Sequence, residues 1–391
     1  MQSAFPLAPA LQALAEATPV EQEQRGFAHT VAEILQQPLL WAMTAGNGAL
    51  SAALAGALEP KPQAVVLTGS GSSGYIGEAL APGLQAALGV PVTAIPAGTL
   101  LTHWRQTVPP GDTLLLSFAR SGDSPESLGV VDALLALAPR CRHLFVTCNA
   151  QGGLATRYHA APRAAVALLD PRSNDRSLVM TSSFTSLFLA GRMLAAPADR
   201  AGWLALAQLA GSDARELFAS PAQALADLAD AGFDSVLYLA SGGRYGGARE
   251  SALKMLEMSG GRVQVMAETF LGLRHGPMSA LRADTVLVAM LARDPRVRAY
   301  ELDLLAELTA KGLGMRRILI GAGPDVTAGE SDVRIGCGLD DDDATLIDVV
   351  AGQLLALFGC LALGQRPDAP SQGVLTRVVQ PFRIHPEPVP A

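Results

Sequence analysis

Leu67–Tyr75 reads L-T-G-S-G-S-S-G-Y, and Ser117–Ser127 reads S-F-A-R-S-G-D-S-P-E-S. In each, an apolar run breaks into a Gly/Ser loop and then enters a helical pattern. Backbone N–H groups and hydroxyls therefore gather at strand ends, a setting that suits a phosphate. Around them, A-V-V-L-T-G-S from Ala64, V-P-V-T-A-I from Val90, T-L-L-L-S-F from Thr113 and H-L-F-V-T-C-N from His143 alternate with helix-length segments. This order predicts parallel βαβ units.

The same order returns after a polar, helix-rich bridge near 196–231. It runs through D-S-V-L-Y-L-A-S-G-G-R from Asp234, T-V-L-V-A-M-L from Thr285 and R-I-L-I-G-A from Arg317. The halves read as a duplicated α/β domain, each a parallel sheet flanked by helices. Where the first half has A-R-S-G-D-S at Ala119–Ser124, the second has A-R-D-P-R at Ala292–Arg296, so the phosphate cradle is expected in the first half alone. The expected layout is a helical segment over 1–60, in which Thr30 and Glu33 are spaced as a capping box. A first domain over 61–200, a second over 201–366 and a proline-broken tail over 367–391 follow, with V-L-T-R-V-V-Q at Val374–Gln380 as a tail segment.

The 391 residues are enough for two or three domains of about 100–200 residues. Hydrophobic residues make up 49% and aromatics only 5%, which predicts a core of Ala, Leu and Val. A net charge of −7 leaves no basic face for a nucleic-acid backbone, so nucleic acid is not an expected partner. Cys141, Cys148, Cys337 and Cys360 lack CxxC spacing and read as buried free thiols in a reducing compartment. The N-terminal stretch has no basic residue before Arg25 and is interrupted by Glu16, unlike a signal peptide, and a cytoplasmic location is expected. The apolar stretch from Thr345 contains Asp348 and Gln353 and reads as a core or interface helix rather than a membrane span. Asp340–Asp343 reads as a solvated run complementing that helix's N-terminal dipole.

Gly69, Gly71 and Gly74 satisfy G-x-G-x-x-G, but the following strand ends P-V-T-A-I-P-A-G without the carboxylate that a dinucleotide ribose needs. No Lys-Ser or Lys-Thr follows to make a Walker loop. Ser70, Ser72, Ser73, Arg120, Ser121 and Ser124 instead match a phosphomonoester, with M-T-S-S-F-T at Met180–Thr185 as a further wall. Proton-transfer groups come from Ala252–Pro277. Lys254 and Glu257 lie one turn apart on one helix face, and His275 sits in R-H-G-P, where a packed structural imidazole is the competing reading. No H-x-H or H-E-x-x-H is present, so neither metal nor cofactor is expected.

Together the S-G-S-S and A-R-S-G-D-S-P-E-S loops, M-T-S-S-F-T, A-L-K-x-x-E and L-G-x-R-H-G-P resemble a double sugar isomerase (SIS) domain protein. More narrowly they resemble the AgaS family of galactosamine-6-phosphate deaminases, also called tagatose-6-phosphate ketose/aldose isomerases. The isomerase half of glucosamine-6-phosphate synthase is a more distant relative. Carried over by motif, the resemblance implies phosphate binding by Ser72, Ser73, Arg120, Ser121 and Ser124. It implies C1–C2 proton transfer by Glu257, a helix lysine at Lys254, ring opening by His275 and a homodimer. Thr181, Ser182 and Arg377 are candidate wall residues. Two positions depart from the pattern: Arg377 stands where the synthase has a lysine, and Met278 follows R-H-G-P where lysine is usual.

The expected activity is deaminating aldose–ketose isomerisation of an amino-sugar 6-phosphate, galactosamine 6-phosphate first, with isomerase and hydrolase as its classes. A non-deaminating phosphosugar isomerase, a fructosamine-phosphate deglycase and a non-catalytic sugar-phosphate-binding regulator stay open.

Overall fold

The computed structural model describes residues 5–323, 326, 332–370 and 373–385. Two five-stranded sheets organise the chain, and every strand pair in them is parallel. The first contains β1 (Ala64–Thr68), β2 (Val92–Ala94), β3 (Thr113–Ala119), β4 (Cys141–Thr147) and β5 (Ala164–Leu168), in the order β2-β1-β3-β4-β5. The second contains β6 (Ser235–Ala240), β7 (Gln264–Thr269), β8 (Val286–Met290), β9 (Arg316–Ile320) and β10 (Val333–Ile335), in the order β10-β9-β8-β6-β7. Read from its other edge, the second order repeats the first strand for strand. The expected duplicated α/β fold is what the chain forms.

Two compact units result, and they interleave along the chain. The first-sheet unit comprises Leu40–Asp175, Ser182–Ala205 and Leu375–Ala391, and the second-sheet unit Met1–Leu39, Arg176–Thr181 and Leu206–Val374.

In the first-sheet unit, β1, β3 and β4 are almost wholly buried apolar runs, as expected for strands covered by helices on both faces. Val66, Leu115, Leu100, Trp104, Val130 and Leu134 pack one side of the sheet. The Ser182–Arg192 helix is buried along its whole length. At its start, both carboxylate oxygens of Asp175 are engaged: Ser182 Oγ donates to one at 2.5 Å, and Ser183 N and Oγ donate to the other at 2.8 and 2.5 Å.

In the second-sheet unit, the membrane-like stretch is the helix Thr345–Ala362, buried in the protein core. Its polar residues are matched. Asp348 receives Arg244 Nε at 2.8 Å and Nη2 at 2.6 Å, while Gln353 accepts from Gln37 at 2.9 Å and donates to the Thr181 carbonyl at 3.2 Å. Gly352 lets this helix approach the Arg244–Met258 helix closely, since a Cβ there would lie 2.3 Å from Ser251 Oγ.

The chain before β1 is helical, as expected, but the capping box is not formed. Thr30 and Glu33 lie inside the helix Ala28–Leu35, whose N-cap is Phe27. Thr30 N and Oγ1 bond Asp368 at 2.8 and 2.7 Å, and Glu33 accepts from the backbone of Arg176 at 2.5 Å and from the Ser177 hydroxyl. Partners far along the chain outcompete the local cap. The four cysteines are free; Cys141, Cys148 and Cys360 are buried, whereas Cys337 is half-buried.

Candidate active site

Strand order 2-1-3 puts β2 and β3 on opposite sides of β1, and the loops leaving β1 and β3 flank the switch point where open α/β sheets bind ligands. β1 ends at Thr68, paired with Ser117 of β3, and β3 runs on to Ala119. After β1 the chain turns through Gly71 at φ +56°, a conformation glycine adopts without strain, and enters the helix Ser72–Leu88. Gly69 lies against the first turn of that helix, where a Cβ would meet the Ser73 backbone at 2.6 Å. Two hydroxyls here, Thr68 Oγ1 and Ser70 Oγ, are buried without a hydrogen-bond partner among the described residues. Buried polar atoms are normally paired, which makes two unpaired hydroxyls at a switch point a candidate position for a polar ligand.

After β3, Arg120 and Ser121 are more than nine-tenths buried, and Ser124 occupies the N-cap of the helix Pro125–Leu137 without a side-chain cap bond. The loop after β4 braces this segment: Asn149 Nδ2 donates to the Ser121 carbonyl at 2.9 Å, and Gly153 N to Asp123 at 2.8 Å. Ser72 and Ser73 are each 5% exposed. The structure thus brings Ser72 and Ser73 to the end of β1, and Arg120, Ser121 and Ser124 to the end of its neighbour β3.

The candidate wall residues are buried or held by bonds within the protein. Ser182 is fully buried, with its hydroxyl on Asp175, and Thr181 is fully buried. Arg377 directs Nε to the Asp175 carbonyl at 2.6 Å and Nη2 to Asn174 Oδ1 at 2.5 Å, while its own carbonyl accepts from Arg120 Nη2 at 2.6 Å.

In the second-sheet unit, the Arg244–Met258 helix carries Lys254 and Glu257 on one face, as their spacing predicts. Lys254 Nζ lies 2.6 Å from Glu257 Oε2 and 3.3 Å from Glu250 Oε1. The Glu250 side chain is fully buried and that of Lys254 nearly so, whereas the Glu257 side chain retains 17% of its exposure. Glu257 is therefore the member of this Glu–Lys–Glu line that solvent or a ligand reaches. Glu250 escaped the sequence reading, although its i, i+4 spacing to Lys254 was the available signal. His275 follows the short turn Gly272–Arg274 and is exposed, so the packed structural imidazole is ruled out.

The second sheet has an equivalent switch point after β6 and β8, and carboxylates of the protein occupy its donors. Glu301 accepts from Ser241 Oγ at 2.6 Å and Ala292 N at 2.7 Å, and Asp341 accepts from Arg293 N at 2.6 Å and Asp294 N at 3.1 Å. Asp341 is thus a built-in anion rather than only part of a solvated run. Among the described residues, no group of three or more His, Cys, Asp or Glu is placed to hold a metal.

No family model matches the chain. A protein of Streptomyces coelicolor with the provisional name D-galactosamine-6-phosphate deaminase AgaS is 39% identical over 370 residues, 91% of this chain and 95% of that one. The D-galactosamine-6-phosphate deaminase AgaS of Escherichia coli O157:H7 is 34% identical over 377 residues, again 91% and 95%. The solved tagatose-6-phosphate ketose/aldose isomerase from Escherichia coli superposes with a TM-score of 0.83 at 31% identity, covering 98% of this chain and 99% of that one. These names belong to deaminases and an isomerase, which corrects the expected hydrolase class.

Proposed function

This chain belongs to the AgaS family, its two sheets being tandem SIS domains, and from that premise we propose that it deaminates an amino-sugar phosphate. The substrate of choice is galactosamine 6-phosphate, giving tagatose 6-phosphate and ammonia. Ser72, Ser73, Arg120, Ser121 and Ser124 take the phosphate, with the unpaired hydroxyls of Thr68 and Ser70 beside them. Binding energy from this remote group orients C1 and C2.

His275 assists opening of the pyranose ring. Glu257 then removes the C2 proton, giving an enolamine, and returns the proton to C1. The resulting C2 imine adds water and expels ammonia, which leaves the ketose phosphate. Lys254 is too deeply buried to touch the sugar, so its role is to position Glu257. The observation that carries the reading is the geometry of Glu257. A carboxylate fixed by a buried ammonium, yet still accessible, is what a reversible proton carrier requires.

Ammonia release measured across galactosamine 6-phosphate and its C4 epimer glucosamine 6-phosphate tests this. The expected result is a higher kcat/KM for the galactose form. The name of the Escherichia coli structure supports a second reading, ketose–aldose isomerisation without nitrogen loss. Interconversion of a nitrogen-free phosphosugar with no ammonia from either amino sugar would select it. Tight binding of sugar phosphates without any turnover would select a regulator.

A further inference from the structure

Residues 373–385 form no helix or strand, and much of their apolar surface is open: Val374, Leu375, Val379 and Phe382 are all exposed. Burial of such a segment does not hold it in place, yet it is attached, at two points in particular. Ile384 rests on the Pro125–Leu137 helix at Gly129, where a Cβ would come within 3.4 Å of Ile384 Cδ1. The second point is Arg377, half-buried together with Val378 in an otherwise exposed stretch from 373 to 380.

A guanidinium is a planar fork, and here Nε and Nη2 diverge onto the Asp175 carbonyl and Asn174 Oδ1. The receiving segment is itself fixed, because the Asp175 carboxylate holds Ser182 and Ser183 at the start of a buried helix. With the side chain held on that anchor, the Arg377 carbonyl is aimed at Arg120 and accepts from Nη2 at 2.6 Å. A bond from a guanidinium N–H to a fixed carbonyl constrains the plane of the whole group.

From this geometry we infer that Arg377 is a positioning residue for the phosphate arginine: its side chain clamps the tail to Asn174–Asp175 so that its carbonyl orients Arg120. The inference rests on the reading that Arg120 takes the phosphate. It gives Arg377 a task that a lysine could not perform equally, since an ammonium lacks the fork that spans two fixed acceptors.

The test is a double-mutant cycle on the full chain, with the Kd of inorganic phosphate as the readout. Arg120→Ala should weaken phosphate binding tenfold or more, and Arg377→Ala by about tenfold, as expected for one lost charge-assisted bond. If Arg377 acts through Arg120, the double variant binds phosphate no more weakly than Arg120→Ala alone. A merely structural tail would give additive losses. Unchanged phosphate affinity in Arg377→Ala, or additivity in the cycle, overturns the inference while leaving the cradle intact. Unchanged affinity in Arg120→Ala overturns the cradle, and the inference with it.

Discussion

His143 lies in the middle of β4, 2% exposed, and neither ring nitrogen has a hydrogen-bond partner among the described residues. Burial, reinforced by the nearby positive charge of Arg163, pushes its pKa down from 6.5 to about 4. The folded protein therefore resists a proton that the unfolded chain accepts from about pH 6.5 downward. Stability is unaffected by this group above pH 6.5, falls as pH drops from 6.5 to about 4, and levels off below. The full interval corresponds to ~3 kcal/mol, of which ~2 kcal/mol has been lost by about pH 5. His143→Leu removes the titration and two unpaired buried nitrogens in a side chain of similar size, so it should be neutral or stabilising at neutral pH. Urea unfolding of both proteins at about pH 7.5 and about pH 5 reads the difference, because the midpoint shifts at constant m. The wild type should lose ~2 kcal/mol more than the variant between the two pH values. Equal losses would show that His143 is not the buried neutral base described here.

Glu257→Gln should lower kcat for ammonia release by about 10² to 10⁴-fold with KM near wild type, as expected for one positioned proton carrier. More than about a tenth of the activity remaining would remove Glu257 from the mechanism. Lys254→Met leaves the Glu250 and Glu257 carboxylates without their ammonium and should cost about 3–5 kcal/mol in urea unfolding. A loss below about 1 kcal/mol would mean the pair is weakly coupled to folding. Calorimetric titration with inorganic phosphate should give one site per chain, and a second site of similar affinity would contradict the occupied state of the second switch point.

Most strands that the sequence displays are those buried on both faces, though the edge strand β2 was legible too. β1, β3, β4, β6 and β8 are continuous Val/Leu/Ala-rich runs, and continuous apolarity marks a parallel strand covered by helices. β5, β7 and β10 were not anticipated as strands. All three lie at sheet edges, where half-exposure thins the apolar signal. β7 also ends in A-E-T and merges in sequence with the segment that carries His275. The Lys254–Glu257 pair was legible because helix periodicity is local. The ends of Thr30 and Glu33 were not, since Asp368 and Ser177 lie 338 and 144 positions away. Arg377 was equally hidden, because its partners are two backbone carbonyls and an asparagine that no side-chain motif announces.

The duplication explains why one half can lose its cradle without losing its fold. Both sheets leave amide N–H groups at the switch point after their third strand, and buried donors require acceptors whether or not a ligand is present. In the first sheet the loop keeps hydroxyls and an arginine, with Thr68 and Ser70 left unpaired, an arrangement that a bound ligand would complete. In the second sheet Glu301 and Asp341 supply the acceptors permanently, and Asp294 caps the following helix through Arg296 N and Val297 N. A phosphate approaching there would have to displace carboxylates tethered to the same chain. It would also meet their negative charge, and the neighbouring Arg244, which offsets part of it, is already held by Asp348. Freed from ligand binding at that point, the second half devotes its first helix to the Glu250–Lys254–Glu257 line. On the proposed reading the same topology hosts anion binding in one copy and proton transfer in the other, and the difference lies in which acidic side chains close the loops.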